Sequence, residues 1–348
     1  MDPRTGFSSP EKARRGLVVI LDSEKGGYVE DTLIEAELLS QEAEVELWSV
    51  EDAASASHRL READVVISWH HIALERPVLE LMPQCRGIVR ASVGFDNIAL
   101  DVAGELGITV CNIPDYGTEE VADHTLMLLL GVARNIRGTG AAADSGVWRW
   151  QAAGTVRRLR GRTLGIVGLG RIGAAVALRA MAFGLRVIFF DPFVRSGLDK
   201  ALGIERVDSL ADLLECSDIL TLHTPLTPET RHMIGDDELR RLPRGATLIN
   251  TSRGEVVDQE ALIDALSNGR LAGAGLDVLE GEPEVPNALR HSERVLLTAH
   301  SAFYSEESLA ELREKAARAA LAFMQGEIPR RDVLVPRPEE APLERISG

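Results

Sequence analysis

An arginine, a glutamate and a histidine recur in similar settings in the second half of the sequence, each just after a short apolar run. "LINTSRGEVVD" carries Arg253, "GLDVLEGEP" carries Asp277 and then Glu282, and "VLLTAHSAFYS" carries His300. Together these side chains suit a reaction on a 2-oxo acid. A guanidinium holds a carboxylate by two parallel hydrogen bonds and so orients the neighbouring carbonyl. An imidazolium donates a proton to the carbonyl oxygen as hydride reaches the carbon, a general-acid contribution of about 10²–10⁴-fold. A carboxylate paired with the imidazole favours its charged form. Each residue taken singly also has a plainer reading: a core histidine bonded to a backbone carbonyl, a helix-end ion pair, a solvated turn glutamate.

A cofactor pattern upstream favours the chemical reading. "GIVGLGRIGAAVALRAMAFG" sets Gly168, Gly170 and Gly173 in a GxGxxG that directly follows a predicted strand and opens a helix. The first two glycines permit a tight turn and let backbone N–H groups approach a pyrophosphate. The third permits close helix–strand packing, and the helix N-terminus attracts the anion. The next strand, "RVIFFD", ends at Asp191, 18 residues after Gly173. An acid there accepts hydrogen bonds from ribose hydroxyls and repels a 2′-phosphate, which favours NAD (NADH) over NADP. Arg195, four residues on, weakens that preference.

These residues need strand ends to hold them, and the chain offers two series of strands alternating with helices. "GLVVIL", "EVELWSV", "ADVVISW", "RGIVRAS" and "ITVCNI" form the first; "TLGIVGLG", "RVIFFD", "DILTLHTP", "GATLIN" and "LAGAGLDV" form the second. Such alternation predicts α/β architecture with two doubly wound parallel sheets. Ligands of open α/β sheets gather outside the carboxyl ends of the strands, where Arg253, Glu282 and His300 fall. Between the series, "PDYGTEEVADHTLMLLLGVARNIRG" reads as one long helix, acidic at its start and basic at its end.

Bulk properties narrow the setting. The 348 residues, 45% of them hydrophobic, suit about two ordinary domains. A formal net charge of −16 argues against a nucleic-acid partner. Three scattered cysteines without metal-ligand spacing point to a reduced, cytoplasmic protein with no metal site. The polar N-terminus has no apolar signal-peptide core, and no apolar run reaches the roughly 18 residues of a membrane span, so no membrane partner is expected.

The stretches "RASVGFDNI", "NIPDYGTEEVADHT", "GIVGLGRIG", "NTSRGEVVD", "GLDVLEGEP" and "TAHSAFYSEES" occur in order, and over roughly residues 15–335 the chain resembles the D-isomer-specific 2-hydroxyacid dehydrogenases. The resemblance implies Arg253, Glu282 and His300 as the catalytic set. It implies cofactor contacts for Ser92, Val167, Gly168, Gly170, Arg171, Ile172, Gly173, Asp191, Thr224, Thr230, Thr251, Ser252 and Asp277. It places Val93 and Gly94 beside Ser92 in a loop meeting substrate, with His70, Arg90 and Phe303 as further substrate candidates. It also implies a Rossmann-type NAD domain (112–299) inserted in a discontinuous flavodoxin-like substrate domain (15–111 and 300–335), and a homodimer joined through the nucleotide domain along Thr118–Arg134. The proline- and charge-rich ends, 1–14 and 336–348, read as loose tails.

Within the family, "AVALRAMAFG", "ALGIERV", "AFYSEES" and "REKAARAA" are similar to the C-terminal-binding-protein branch of NAD-linked corepressors. Two departures matter. Ala299 precedes the histidine where the family usually has proline, and Phe303 stands where the corepressors carry tryptophan. The expected function is NADH-dependent reduction of a 2-oxo acid, or its reverse. The alternative is an NAD(H)-sensing regulator that recruits a peptide partner.

Overall fold

Several apolar runs, among them Val65–Ser68, Gly87–Arg90 and Ala246–Asn250, are buried along their whole length. Parallel strands covered by helices on both faces show this pattern. The protein is described by a computed structural model over residues 15–70, 72–329 and 333–335; the tails expected at 1–14 and 336–348 lie outside the described residues. In chain order the strands are β1 (Gly16–Ser23), β2 (Ala43–Val50), β3 (Val65–Ser68), β4 (Gly87–Arg90), β5 (Thr109–Asn112), β6 (Thr163–Val167), β7 (Arg186–Phe190), β8 (Glu205–Arg206), β9 (Ile219–Leu222), β10 (Ala246–Asn250), β11 (Leu271–Leu276), β12 (Val295–Leu297) and β13 (Val333–Val335). The described residues form two compact units, one from those up to 114 together with those from 310 onward, the other from 115–309.

The first unit has the sheet order β13-β5-β4-β3-β1-β2, parallel except for β13, which runs antiparallel against β5. Order 2-1-3-4-5 is that of flavodoxin-like sheets, whose ligands gather where the order reverses, beyond the ends of the strands. The helix Glu306–Met324 brings the chain back to this sheet. A Cβ at Gly87 would lie 2.5 Å from the ring of the fully buried Phe323, so the helix reaches β4 only because that position has no side chain. Arg313 on the same helix donates to both carboxylate oxygens of the buried Glu35.

The second unit has the order β12-β11-β10-β9-β6-β7-β8, parallel throughout. The chain builds outward from β6 to β8, then reverses and builds from β9 to β12. The reversal lies between β6 and β9, the place where such sheets bind nucleotides. The long helix expected between the two series is broken. It runs Thr118–Ala133, and Asn135, at φ 48°, starts a second helix, Ile136–Asp144, by accepting from the Gly138 N–H. Asparagine tolerates the left-handed region and is a strong N-cap, which makes the break local and abrupt.

Candidate active site

The glycine loop follows β6 in the second unit. Gly168 has φ +88°, and a Cβ there would meet the His223 carbonyl oxygen at 2.7 Å. A Cβ on Gly173 would sit 2.2 Å from the Gly168 carbonyl oxygen, so the helix Arg171–Ala182 closes onto the loop only with glycine at that position. Gly170, by contrast, caps the helix and has nothing within 4 Å of where its Cβ would be. The N–H groups of the first helical turn therefore border open space, as an anion site requires. Val167 is buried at the end of β6, Ile172 packs into the core, and Arg171 is exposed at the helix start.

Asp191, just past β7, ties this loop to the next. Its Oδ2 accepts from Leu169 N–H at 2.8 Å, and its Oδ1 from Phe193 N–H at 2.8 Å and Val194 N–H at 3.2 Å. Across the reversal, burial pushes the His223 imidazole down to about 3. Next to it, the buried Thr224 Oγ1 has no hydrogen-bond partner among the described residues. An orphan hydroxyl, an open helix N-terminus and an acid at the end of β7 together fit a dinucleotide. Thr230 Oγ1 accepts from Thr227 N–H and donates to Pro225 O, fixing the turn after Thr224.

Arg253 and Ser252 follow β10. Asn250 shapes this turn: its Oδ1 accepts from Ser252 N–H and Oγ–H, and its Nδ2 donates to Arg253 O at 2.8 Å. Thr251 Oγ1 lies 2.9 Å from Thr125 Oγ1 on the helix Thr118–Ala133. A Cβ on Gly254 would lie 1.9 Å from the Leu279 carbonyl carbon, so the Arg253 turn rests directly on the loop that carries Glu282. Glu282 Oε2 lies 2.8 Å from His300 Nδ1, and its Oε1 accepts from Leu279 N–H at 2.7 Å. Burial would raise the Glu282 pKa, but the His300 hydrogen bond and charge, the Leu279 N–H and Arg253 together hold it below the ordinary carboxyl value.

His300 itself is left-handed, at φ 50°. For a non-glycine residue this costs about 1–3 kcal/mol. Asp277 offsets the cost from both sides of the residue. Its carbonyl accepts the His300 N–H at 2.8 Å, and its carboxylate accepts the Ser301 and Ala302 N–H groups, each at 3.0 Å. Hydrogen bonds to a charged acceptor contribute about 1.5–3 kcal/mol each, enough to hold the turn. Phe303, next in line, is buried edge-on against Tyr116, with ring centroids 6.3 Å apart. Among the described residues no group of three or more His, Cys, Asp or Glu is placed to hold a metal ion. A cavity of about 470 Å³, lined by Arg162, Thr247, Leu271 and Val295 among others, opens at the opposite, amino ends of these strands and takes no part in the site.

In the first unit the remaining candidates gather at the carboxyl ends of β3 and β4. His70 Nε2 lies 3.1 Å from the buried Ser92 Oγ, which accepts from Gly94 N–H. Asn112 holds the loop by donating to the Val93 carbonyl at 2.7 Å. Arg90 is almost fully buried, and its Nε donates to Asn97 Oδ1 at 2.8 Å. Asn97 in turn donates to Ile72 O. Tyr28, beyond β1, stacks on Trp69 with ring centroids 5.5 Å apart and lies 5.1 Å from the His70 ring. Sequence reasoning passed over Tyr28 and Asn97. The polar "GFDNI" run was the only signal for Asn97, and Tyr28 had none.

Residues 126–302 match the family described as D-isomer specific 2-hydroxyacid dehydrogenase, NAD binding domain. The chain is 42% identical over 298 residues to a glyoxylate reductase of Korarchaeum cryptofilum, covering 84% of this chain and 90% of that protein. It is 40% identical over 308 residues to a glyoxylate reductase of Thermococcus litoralis, covering 85% and 93%. Among solved structures, the D-lactate dehydrogenase of Aquifex aeolicus complexed with NAD and lactic acid superposes with a TM-score of 0.83 at 31% identity, covering 91% of this chain and 99% of that one.

Proposed function

Because the chain belongs to the D-isomer-specific 2-hydroxyacid dehydrogenase family, we propose that it reduces a small 2-oxo acid to the D-2-hydroxy acid with NADH, glyoxylate being the first candidate. The observation that carries this reading is the Glu282–His300 pair at 2.8 Å, packed against the Arg253 turn on the sheet that bears the glycine loop. Hydride for the carbonyl carbon is the contribution of the reduced nicotinamide. Arg253 holds the substrate carboxylate in a two-bond clasp and orients the carbonyl. His300, its Nδ1 engaged by Glu282, passes the proton on Nε2 to the carbonyl oxygen as that oxygen gains charge. Glu282 fixes the ring; in the oxidation direction the same nitrogen takes the proton back.

We assign the dinucleotide to Val167, Gly168, Gly170, Arg171, Ile172, Gly173, Asp191, Thr224, Thr230, Thr251, Ser252 and Asp277, and Ser92 to the same role from the first unit. The Asp191 carboxylate disfavours a 2′-phosphate and supports NADH over NADPH. His70, Arg90, Val93, Gly94 and Phe303 are the substrate assignments. The first unit is thus the substrate domain and the second the NAD domain. Reductase relatives support an enzyme over an NAD(H)-sensing regulator, and the likeness to the corepressor branch rests on short stretches alone. A cytoplasmic homodimer completes the reading. It is supported by scattered cysteines and by exposed Ile136, Val147, Trp148 and Trp150 in the second unit. No helix among the described residues is long and apolar enough to cross a membrane.

The test is NADH oxidation followed at 340 nm with glyoxylate, pyruvate, hydroxypyruvate and bulkier 2-oxo acids, with NADPH as the control cofactor. His300→Ala should cut turnover by about 10²-fold or more while leaving NADH affinity nearly unchanged. Equal losses of binding and turnover would mean that His300 is a structural residue. Tight NADH binding without turnover on any 2-oxo acid would favour the regulator.

A further inference from the structure

Behind the His300 turn, three polar side chains outside the Arg253–Glu282–His300 set form one line. Thr298 Oγ1 donates to Asp277 Oδ1 at 2.6 Å, which commits the only proton of the hydroxyl. His124 Nε2 lies 2.8 Å from the same oxygen and must therefore be the donor of that second bond. Burial, opposed only in part by the Asp277 charge 3.5 Å away, holds His124 below the ordinary imidazole value, in keeping with a neutral ring protonated at Nε2. The line starts on the helix Thr118–Ala133, crosses Thr298 just after β12, and ends on Asp277 just after β11. From there the Asp277 carboxylate takes the N–H groups of Ser301 and Ala302, the two residues after His300.

We propose that His124 and Thr298 are positioning residues for the general acid, fixing through Asp277 the left-handed turn that aligns His300 with Glu282. The proposal rests on the reductase reading above. Ala299 gives it weight. A proline before the histidine would lock its own φ, whereas alanine leaves the strand exit to be held by hydrogen bonds. Without the Thr298 hydroxyl, Asp277 loses a donor and the His124 N–H loses its acceptor, both inside a largely buried group. The turn should then sample other conformations even though no substrate contact has been removed.

Thr298→Val and His124→Ala break the line; Thr298→Ser and His124→Gln retain a hydroxyl and a donor. In Thr298→Val we expect kcat to fall about tenfold or more while the Kd for NADH, read by fluorescence titration, rises by distinctly less, Asp277 being also one of the dinucleotide assignments. Amide hydrogen exchange over residues 298–303 should speed up by about tenfold in the same variant. Thr298→Ser should stay within about threefold of wild type, and the double variant His124→Ala/Thr298→Val should be no slower than Thr298→Val alone, as groups acting in series require. Wild-type kcat and exchange in Thr298→Val would overturn the proposal, as would parallel losses of kcat and NADH affinity, or a serine variant as impaired as the valine one. If Thr298→Val does not fold, His124→Ala against His124→Gln reads the same line. Should the wild-type protein reduce no 2-oxo acid, the reductase reading fails, and the exchange rates alone still decide whether the line holds the turn.

Discussion

At the scale of single residues, Glu282 carries the most specific consequence. Its pKa is lowered in the folded protein, so the stabilisation it gives the His300 pair is fully present above the ordinary value of 4.5 and is lost only as pH falls through the lower folded value. Turnover should therefore show no loss traceable to Glu282 from about pH 5 upward, with an acid limb only below that range. Glu282→Gln keeps the shape and an acceptor oxygen but removes the charge. It should lower kcat by about 10–100-fold and abolish the acid limb, measured as kcat against pH with saturating NADH. An unchanged limb would assign it to another group. The residue types and their places after strands were legible in the sequence, and the structure brings Glu282 and His300 into contact. The left-handed turn was not legible, because what holds it is an aspartate 24 residues before Ser301 and a histidine 174 residues before Thr298. No local pattern encodes partners that distant.

At the scale of elements, the alternating pattern indicated two doubly wound sheets, and the structure has them, because fully buried parallel strands must be continuously apolar. It did not indicate β8 and β13, whose two and three residues are too few to show a period. Nor did it indicate the break at Asn135, where a single left-handed cap outweighs helical patterning on both sides. The helix Glu306–Met324 depends on one buried charge pair in the first unit. Glu35 is buried, and Arg313 reaches it through Nε and a terminal nitrogen while also bonding the Asp31 carbonyl. Both the hydrogen bond to Glu35 and its charge raise the Arg313 pKa, against the opposing effect of burial. Removing one partner strands the other in a dry site, which is costlier than never having had the pair. Arg313→Ala should therefore destabilise the protein by about 3 kcal/mol and lower the thermal midpoint by roughly 4 °C, as followed by circular dichroism. A shift of under about 2 °C would place the pair among surface bridges of little consequence.

At the scale of the whole molecule, charge and exposed apolar surface act against each other. Each copy carries a net charge of −16, so two copies repel. Yet the segment that includes the helix Ile136–Asp144 and the turn after it exposes Ile136, Val147, Trp148 and Trp150, with Trp148 89% and Trp150 81% exposed. Two tryptophans left this open on one short segment offer apolar surface of the kind interfaces use, since each ring can bury about 150–250 Å². If that segment joins two copies, apolar burial supplies the affinity and the net charge opposes it. The double variant Trp148→Ser/Trp150→Ser should then sediment as a monomer at concentrations where the wild type is a dimer, while still binding NADH. Raising ionic strength should tighten the wild-type dimer, because screening removes repulsion without weakening apolar contact. A dimer that loosens with salt would instead be held by ion pairs, and one that survives loss of both tryptophans must be joined through another surface.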